Sequence, residues 1–292
     1  MRYRPFNKIG LSASAITLLL DDTASKAGEG SKLVNAALEM GINSFELAAL
    51  NPEVAQAIQA AVKALGRGVL VLTLRIGRHS QEGAAVFTSD GLRNHIAKAL
   101  AHTGAQHLDA IVLEDPAEGD ISSASMKALE AAKSARQIRQ IGLSGASAAT
   151  DKYMRSGQFD LLATGFGVKS GWVERNRIKA AQDLGMTVTG YDFDIEAAPE
   201  HVAVEKPKGL KGLFAKKPDA AVVHAYDFMR ETRGWTAEEL GLAFALTEPA
   251  LATVRVEATS IKHLQGLAES VERELPSGVA AQIEMARFTA AA

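Results

Sequence analysis

The sequence predicts an α/β protein in which eight parallel strands, each followed by a helix, close into a (β/α)8 TIM barrel. Short apolar runs rich in β-branched residues recur along the chain, and segments with helical periodicity separate them. Glycines stand where several of these helices should end, and the next apolar run follows within a few residues. We expect a barrel rather than an open doubly wound sheet, because no G-x-G-x-x-G motif follows the first strand.

The predicted strands and helices fall on the apolar runs and on the periodic segments between them. The eight predicted strands are residues 15–20, 42–48, 69–76, 109–114, 140–144, 160–166, 187–191 and 253–256. Helical periodicity is clearest in residues 31–40, 52–65, 92–101 and 125–138. The glycines expected to close helices in the left-handed conformation are Gly41, Gly66, Gly104, Gly157 and Gly185.

We interpret residues 1–292 as a single domain, because no linker or change of composition divides the chain. Residues 1–14 predict an N-terminal hairpin that closes the bottom of the barrel, and residues 276–292 predict a C-terminal helix or tail. Residues 204–219 form a lysine-rich insertion outside the repeating units. Eight units of about 30 residues each account for most of the length, as expected for a barrel of this kind.

Composition excludes several classes of protein. The 292 residues include no cysteine, which rules out disulfide frameworks and thiolate metal sites. A formal net charge of −2 argues against nucleic-acid binding through the overall field. No apolar run approaches the roughly 20 residues of a membrane span, and the histidines lack metal-ligand spacing. We therefore expect a cytoplasmic protein with no metal, no nucleic-acid partner and no membrane span.

Seven segments, in order along the chain, resemble motifs of the aldo-keto reductase family. They read FNKIGLSASAI, LVNAALEMGINSFELAALNPE, VLTLRIG, DAIVLEDP, IRQIGLSGAS, LGMTVTGYD and TVRVEATSIKHLQGL. Each match is weak alone, but the order and spacing of all seven agree with the family, from Phe6 to about Ala268. The resemblance implies a barrel with an N-terminal hairpin and a site for a nicotinamide cofactor.

All four positions of the family's catalytic tetrad are substituted. Aldo-keto reductases use Asp, Tyr, Lys and His, and the Tyr protonates the carbonyl oxygen as hydride arrives. The matching residues here are Glu46, Asn51, Arg75 and Glu114. The Asn51 amide cannot supply an acidic proton, and loss of a positioned general acid costs roughly 10²–10⁴-fold in rate. Two interpretations stay open: a structural Arg–Glu network that fills the pocket, or new acid–base chemistry by Glu46 or Glu114 around Arg75.

The resemblance also implies residues that would bind a dinucleotide. Tyr191 matches the aromatic residue that stacks on the nicotinamide ring, and Ser144 matches the serine of the fifth-strand motif. Part of the C-terminal cofactor pattern is kept by Thr259, Ser260 and Gln265. These five residues favour a nucleotide site at the C-terminal ends of the strands.

Three substitutions oppose dinucleotide binding. Gly145 and Ala163 replace the two carboxamide-recognition residues, and Asp192 places a negative charge near the pyrophosphate, where it repels phosphate. The basic residue that would bind the 2′-phosphate of NADP is not evident. If a dinucleotide binds, we therefore expect NAD(H) rather than NADP(H).

Two functions from different classes follow. The first is a catalytically inactive aldo-keto reductase homologue that regulates by binding proteins and responds to NAD(H). Its expected partners are cell-division or signalling-kinase proteins, as in KidO-type regulators of bacterial cell division. The basic segment Lys206–Lys217, whose lysines alternate with apolar residues, is either a solvated loop or the docking surface for an acidic partner. The second is an NAD(P)H-dependent oxidoreductase, or a small lyase, that uses Glu46, Arg75 and Glu114.

Overall fold

A computed structural model describes residues 1–6, 10–21, 30–48, 51–77, 86–195 and 225–291. Within these residues, eight parallel strands close into a barrel, and a two-stranded antiparallel hairpin precedes it. Strands that follow one another in the chain lie side by side, and the last strand pairs with the first. The predicted fold class is therefore confirmed.

The strands coincide with the apolar runs. The hairpin consists of β1 (Tyr3–Phe6) and β2 (Leu11–Ser14). The barrel consists of β3 (Ile16–Leu20), β4 (Ser44–Leu47), β5 (Val71–Gly77), β6 (Leu108–Glu114), β7 (Ile138–Ser144), β8 (Leu161–Gly165), β9 (Thr187–Tyr191) and β10 (Leu251–Val256). Helices cover the outside and side chains fill the inside, so these strands are buried on both faces, which explains their nearly continuous apolar sequence.

The helices begin at side-chain caps and often end at glycine. Those described are α1 (Gly30–Glu39), α2 (Pro52–Leu65), α3 (Ser89–Thr103), α4 (Ser123–Ser134), α5 (Ala148–Arg155), α6 (Trp172–Asp183), α7 (Phe228–Glu231), α8 (Ala237–Ala245), α9 (Ile261–Ser270) and α10 (Val279–Ala291). Thr88 and Ser122, for example, accept the N–H three residues further on. The five predicted glycines all have positive φ, between 64° and 83°, a conformation that costs glycine little.

One predicted helix is too long. The segment 125–138 was expected to be helical throughout, but α4 ends at Ser134 and Ile138 is the first residue of β7. Arg136, rather than a glycine, takes the left-handed conformation at this end, with φ 59°. Ile138 pairs with Leu108 of the neighbouring strand. The prediction was wrong because this helix end lacks the glycine signal, and strand pairing places Ile138 in the sheet.

The N-terminal hairpin closes the bottom of the barrel, as predicted. Its two strands pair from Tyr3 with Ser14 to Phe6 with Leu11. The Phe6 side chain is fully buried and belongs to the same apolar cluster as Val71 and Leu161. These two residues are the first residues of β5 and β8, at the lower end of the barrel. The aromatic ring of Phe6 therefore fills the lower opening of the barrel. Any access to the interior is from the opposite end.

Two further predictions concern the lysine-rich insertion and the C-terminal helix. The insertion 204–219 lies outside the described residues, whereas the predicted C-terminal helix is present as α10. In the part of the chain that the structure describes, no helix has both the length and the apolar character that crossing a bilayer requires. The division of the chain into one domain stays a prediction.

Candidate functional site

Three of the four tetrad positions meet at the C-terminal ends of neighbouring strands. Glu46 lies in β4, Arg75 in β5, and Glu114 is the last residue of β6. Arg75 Nε lies 3.2 Å from Glu46 Oε1, and Arg75 Nη1 pairs with Glu114 Oε1. Because parallel strands of a barrel end at the same rim, residues far apart in sequence form one charged cluster there.

A second arginine, Arg255 of β10, completes this cluster. Its Nη1 lies 3.2 Å from Glu46 Oε1, so one carboxylate faces two guanidinium groups. Its Cζ also lies 4.6 Å from the centre of the Tyr191 ring, within range of a cation–π interaction. The sequence analysis did not identify Arg255. The sequence does carry a signal for this residue. Arg255 stands at the second position of the family motif V-I-x-G, where the family has an apolar residue, and the rest of the strand is mostly apolar.

The space enclosed by the cluster is very small. The cavity lined by Glu46, Tyr191 and Arg255 measures about 10 Å³, which leaves room for one water molecule at most. Thr17 and Thr253 line the same cavity, and the Thr17 hydroxyl lies 2.7 Å from Ser44 Oγ and 2.8 Å from Thr253 Oγ1. The centre of the barrel is thus filled by side chains that are linked to one another by hydrogen bonds and ion pairs.

Asn51, the fourth tetrad position, has a structural role that the structure shows directly. It is the N-cap of α2, and its side-chain oxygen accepts the backbone N–H of Val54 at 2.9 Å. Pro52 follows at the first helical position, where its missing N–H costs nothing. The side-chain oxygen of Asn51 is therefore engaged in starting a helix.

Tyr191 and Ser144, two of the predicted cofactor residues, lie together. Ser144 Oγ donates to Tyr191 Oη at 3.3 Å, and both side chains are buried. One face of the Tyr191 ring is occupied by Arg255. Beside them, a side chain at Gly145 would overlap the carboxylate of Asp115. The space that an asparagine would need at position 145 is thus taken by another residue.

The other three predicted cofactor residues lie at the start of α9. Ser260 is its N-cap and accepts the N–H of His263 at 3.1 Å. Thr259 Oγ1 lies 3.2 Å from His263 Nδ1, and Gln265 donates to Glu269 of the same helix at 2.7 Å. The structure therefore places the predicted residues in two groups, one at the centre of the barrel and one on this helix.

An open cleft lies outside the filled centre, at the ends of β9 and β10. It encloses about 220 Å³ and is bordered by four carboxylates and one guanidinium. The charged residues are Asp192, Asp194, Glu238, Glu257 and Arg255. Carboxylates at this density repel phosphate groups.

Asp192 is the unusual carboxyl of this cleft. Burial raises the pKa of Asp192 above its ordinary value, and the neighbouring Glu257 acts in the same direction, whereas Arg255 opposes them. Its φ of 50° is left-handed, a conformation that aspartate adopts more readily than most residues. The Asp192 side chain therefore lies at the rim of the site beside Arg255 and Glu257.

A metal centre was not predicted for this chain. Among the described residues, no group of three or more His, Asp or Glu side chains is placed to hold a metal ion. Glu46, Arg75, Glu114 and Arg255 form ion pairs with one another.

Comparison with known proteins agrees with the barrel. A family model described as the aldo/keto reductase family matches residues 17–287. The holo form of the aldo-keto reductase AKR11C1 from Bacillus halodurans superposes with a TM-score of 0.75 at 17% identity, covering 98% of this chain and 96% of that one. Its apo form gives 0.70 at 16% identity over the same shares. No curated protein matches the sequence. At such identities the structural similarity shows the fold alone.

Proposed function

The chain belongs to the aldo/keto reductase family, and from this premise we propose that it no longer reduces carbonyls and acts as a regulatory factor that binds other proteins. The observation that carries this proposal is the ion-pair cluster at the barrel centre, in which Glu46, Arg75, Glu114 and Arg255 pair with one another. The cluster occupies the place where a reductase of this family holds the reacting carbonyl.

The cluster is poorly suited to the family's reaction for two physical reasons. A reductase needs a proton donor beside the carbonyl, and an arginine stays protonated at any physiological pH. The carboxylates of Glu46 and Glu114 each face a guanidinium that neutralises them. Among the described residues, the cavity inside the barrel beside Glu46 and Arg255 measures about 10 Å³, which is too small for a substrate.

The described residues do not fit a nicotinamide dinucleotide, the cofactor that the family implies. Arg255 covers one face of the Tyr191 ring, and the Tyr191 side chain as a whole is buried. The outer cleft, where the resemblance places the pyrophosphate, is lined by four carboxylates. We therefore assign no step to a nucleotide. The preference for NAD(H) over NADP(H) stays a prediction, which an NADH fluorescence titration would test.

The first test of the proposal is a turnover assay on the full chain. We expect aldehydes and ketones, offered with NADH or NADPH, to be consumed no faster than in buffer, because a positioned acid is missing. An active aldo-keto reductase in the same assay is the positive control. Turnover that disappears in Glu114→Gln would overturn the proposal.

We place protein binding in the basic segment Lys206–Lys217, which lies outside the described residues. Its five lysines and interspersed Leu210, Leu213 and Phe214 suit an acidic partner with an apolar face. In line with KidO-type regulators, we propose cell-division or kinase-signalling proteins as partners.

The binding proposal predicts that partner capture depends on this segment. In a pull-down, the partner should be lost when Lys206, Lys208, Lys211, Lys216 and Lys217 are changed to Glu. The matched control reverses five exposed lysines on the helices, namely Lys63, Lys98, Lys127, Lys152 and Lys179. Equal loss in both variants would show that the effect is nonspecific and would contradict the assignment.

A second candidate function is favoured by one observation. An NAD(P)H-dependent oxidoreductase, or a small lyase, built on Glu46, Arg75 and Glu114 would need a proton donor, and Asp192, whose pKa is raised and which borders the same cleft as Arg255, is the candidate at the rim. In that case Asp192→Asn should abolish turnover, as should Glu114→Gln. Asp194→Asn, in the same cleft, is the control expected to retain it.

A further inference from the structure

We propose that two copies of this chain associate through an exposed aromatic patch on the outer faces of α6 and α10. The patch consists of Trp172, Val173, Met285 and Phe288. Their exposed fractions are 77%, 45%, 69% and 78%. Large apolar side chains that are grouped and this exposed are typical of interaction sites.

Helix α10 is apolar on more than the side that it buries. Val279, Ile283 and Ala286 pack into the apolar cluster beneath the helix. Met285 and Phe288 lie on the outward side of the same helix. A helix with apolar residues on both sides is normally covered on both, so its outward side is suited to contact with another protein surface.

An ion pair ties the two helices together in the middle of the patch. Arg175 Nη2 of α6 lies 2.8 Å from Glu284 Oε1 of α10. Side chains three or four positions apart share a side of a helix, so Trp172 lies on the side of Arg175 and Phe288 on the side of Glu284. The two aromatic residues therefore flank one ion pair and belong to one surface.

The charges within the patch favour a second copy as the occupant. Glu284 also pairs with Arg287 at 2.7 Å, so positive and negative groups alternate across the patch. In a two-fold dimer every contact occurs twice, with the partners exchanged, so a mixed patch can set a positive group of one copy opposite a negative group of the other. A uniformly acidic or basic partner would instead meet a like charge here.

The available area is consistent with a dimer. A large aromatic side chain buries roughly 150–250 Å², and about three quarters of Trp172 and Phe288 is exposed, so the two contribute about 450–780 Å² when two copies meet. Val173, Met285 and the polar rim bring the total to the ~1,200 Å² at which specific interfaces begin. The inference does not depend on whether the barrel is catalytic.

Sedimentation equilibrium of the full chain tests the proposal. We expect a reversible dimer, with a dissociation constant raised at least ~10-fold by Phe288→Glu and, independently, by Trp172→Glu. Val69→Glu is the matched control, because Val69 is 52% exposed but precedes β5 at the opposite end of the barrel. Circular dichroism confirms that each variant is folded. A wild-type chain that stays monomeric, or a dimer that neither patch variant weakens, would overturn the proposal, and the turnover assay would be unaffected.

Discussion

Glu46 is the residue on which the charge balance of the barrel centre depends. Its side chain is 9% exposed, and one of its oxygens lies 3.2 Å from Arg75 and 3.2 Å from Arg255. Two guanidinium groups can lie this close together only because a carboxylate stands between them. Two cations thus share one buried anion, which lies at the position of a catalytic aspartate in the family.

Glu46→Gln should destabilise the protein markedly. The amide keeps the shape of the side chain but removes the charge that separates the two guanidinium groups. We expect a loss of about 2–4 kcal/mol in the free energy of unfolding, since a buried charge left without its partner is costly. Urea denaturation measures it.

The control for this prediction is Glu118→Gln. Glu118 pairs with Lys152 on the surface, where both side chains are about 70% exposed, and exposed pairs contribute little. We expect no measurable change in stability. A Glu46→Gln variant as stable as this control would show that the central cluster is not structural.

Helix α2 begins and ends at residues that the local sequence marks, and its N-cap, Asn51, is also one of the predicted site residues. Asn51 caps it, Pro52 occupies its first position, and Glu53 lies in its first turn, where the helix dipole favours a negative charge. Gly66 ends it with φ 81°. The residue predicted to match the family's tetrad tyrosine, Asn51, is thus a helix cap.

Asn51→Ala should cost about 1 kcal/mol of stability, because the backbone N–H of Val54 loses its acceptor. Asn51→Ser is the matched variant, since a serine hydroxyl can still accept that N–H, and it should recover most of the loss. Chemical denaturation of the three proteins measures the difference. Equal stability of Asn51→Ala and wild type would contradict the capping role.

At the scale of the whole molecule, the interior of the barrel is closed at both ends. The hairpin with Phe6 fills the bottom, and the cluster around Glu46 fills the top. A buried pair of Arg67 and Asp109, 2.5 Å apart, adds to the closure at the lower end. Binding is therefore expected on the outside, which is where the aromatic patch is located; the basic segment lies outside the described residues. The two proposals are independent, because one concerns a partner protein and the other a second copy.

Much of the architecture could be predicted from the sequence. Each of the eight strands is recognisable in the sequence as an apolar run, because a strand that is buried on both faces contains few polar residues. The helix ends were predictable where glycine adopts positive φ, and not at Arg136, where an ordinary residue does so. Of the site, Glu46, Arg75 and Glu114 were predicted to cluster, whereas Arg255 was missed.

The sequence by itself determined the barrel and its hairpin, because these depend on periodicity and on the order of the motifs, whereas the loss of the reductase tetrad stays a prediction. The tertiary structure alone decided that Arg255 joins Glu46, which is 209 positions away, and that the ring of Tyr191 is covered. Contacts of this kind depend on the closure of β10 against β3 and on strand register. A shift of one residue would turn every side chain of β10 to the other face, and local sequence patterns do not encode such a contact.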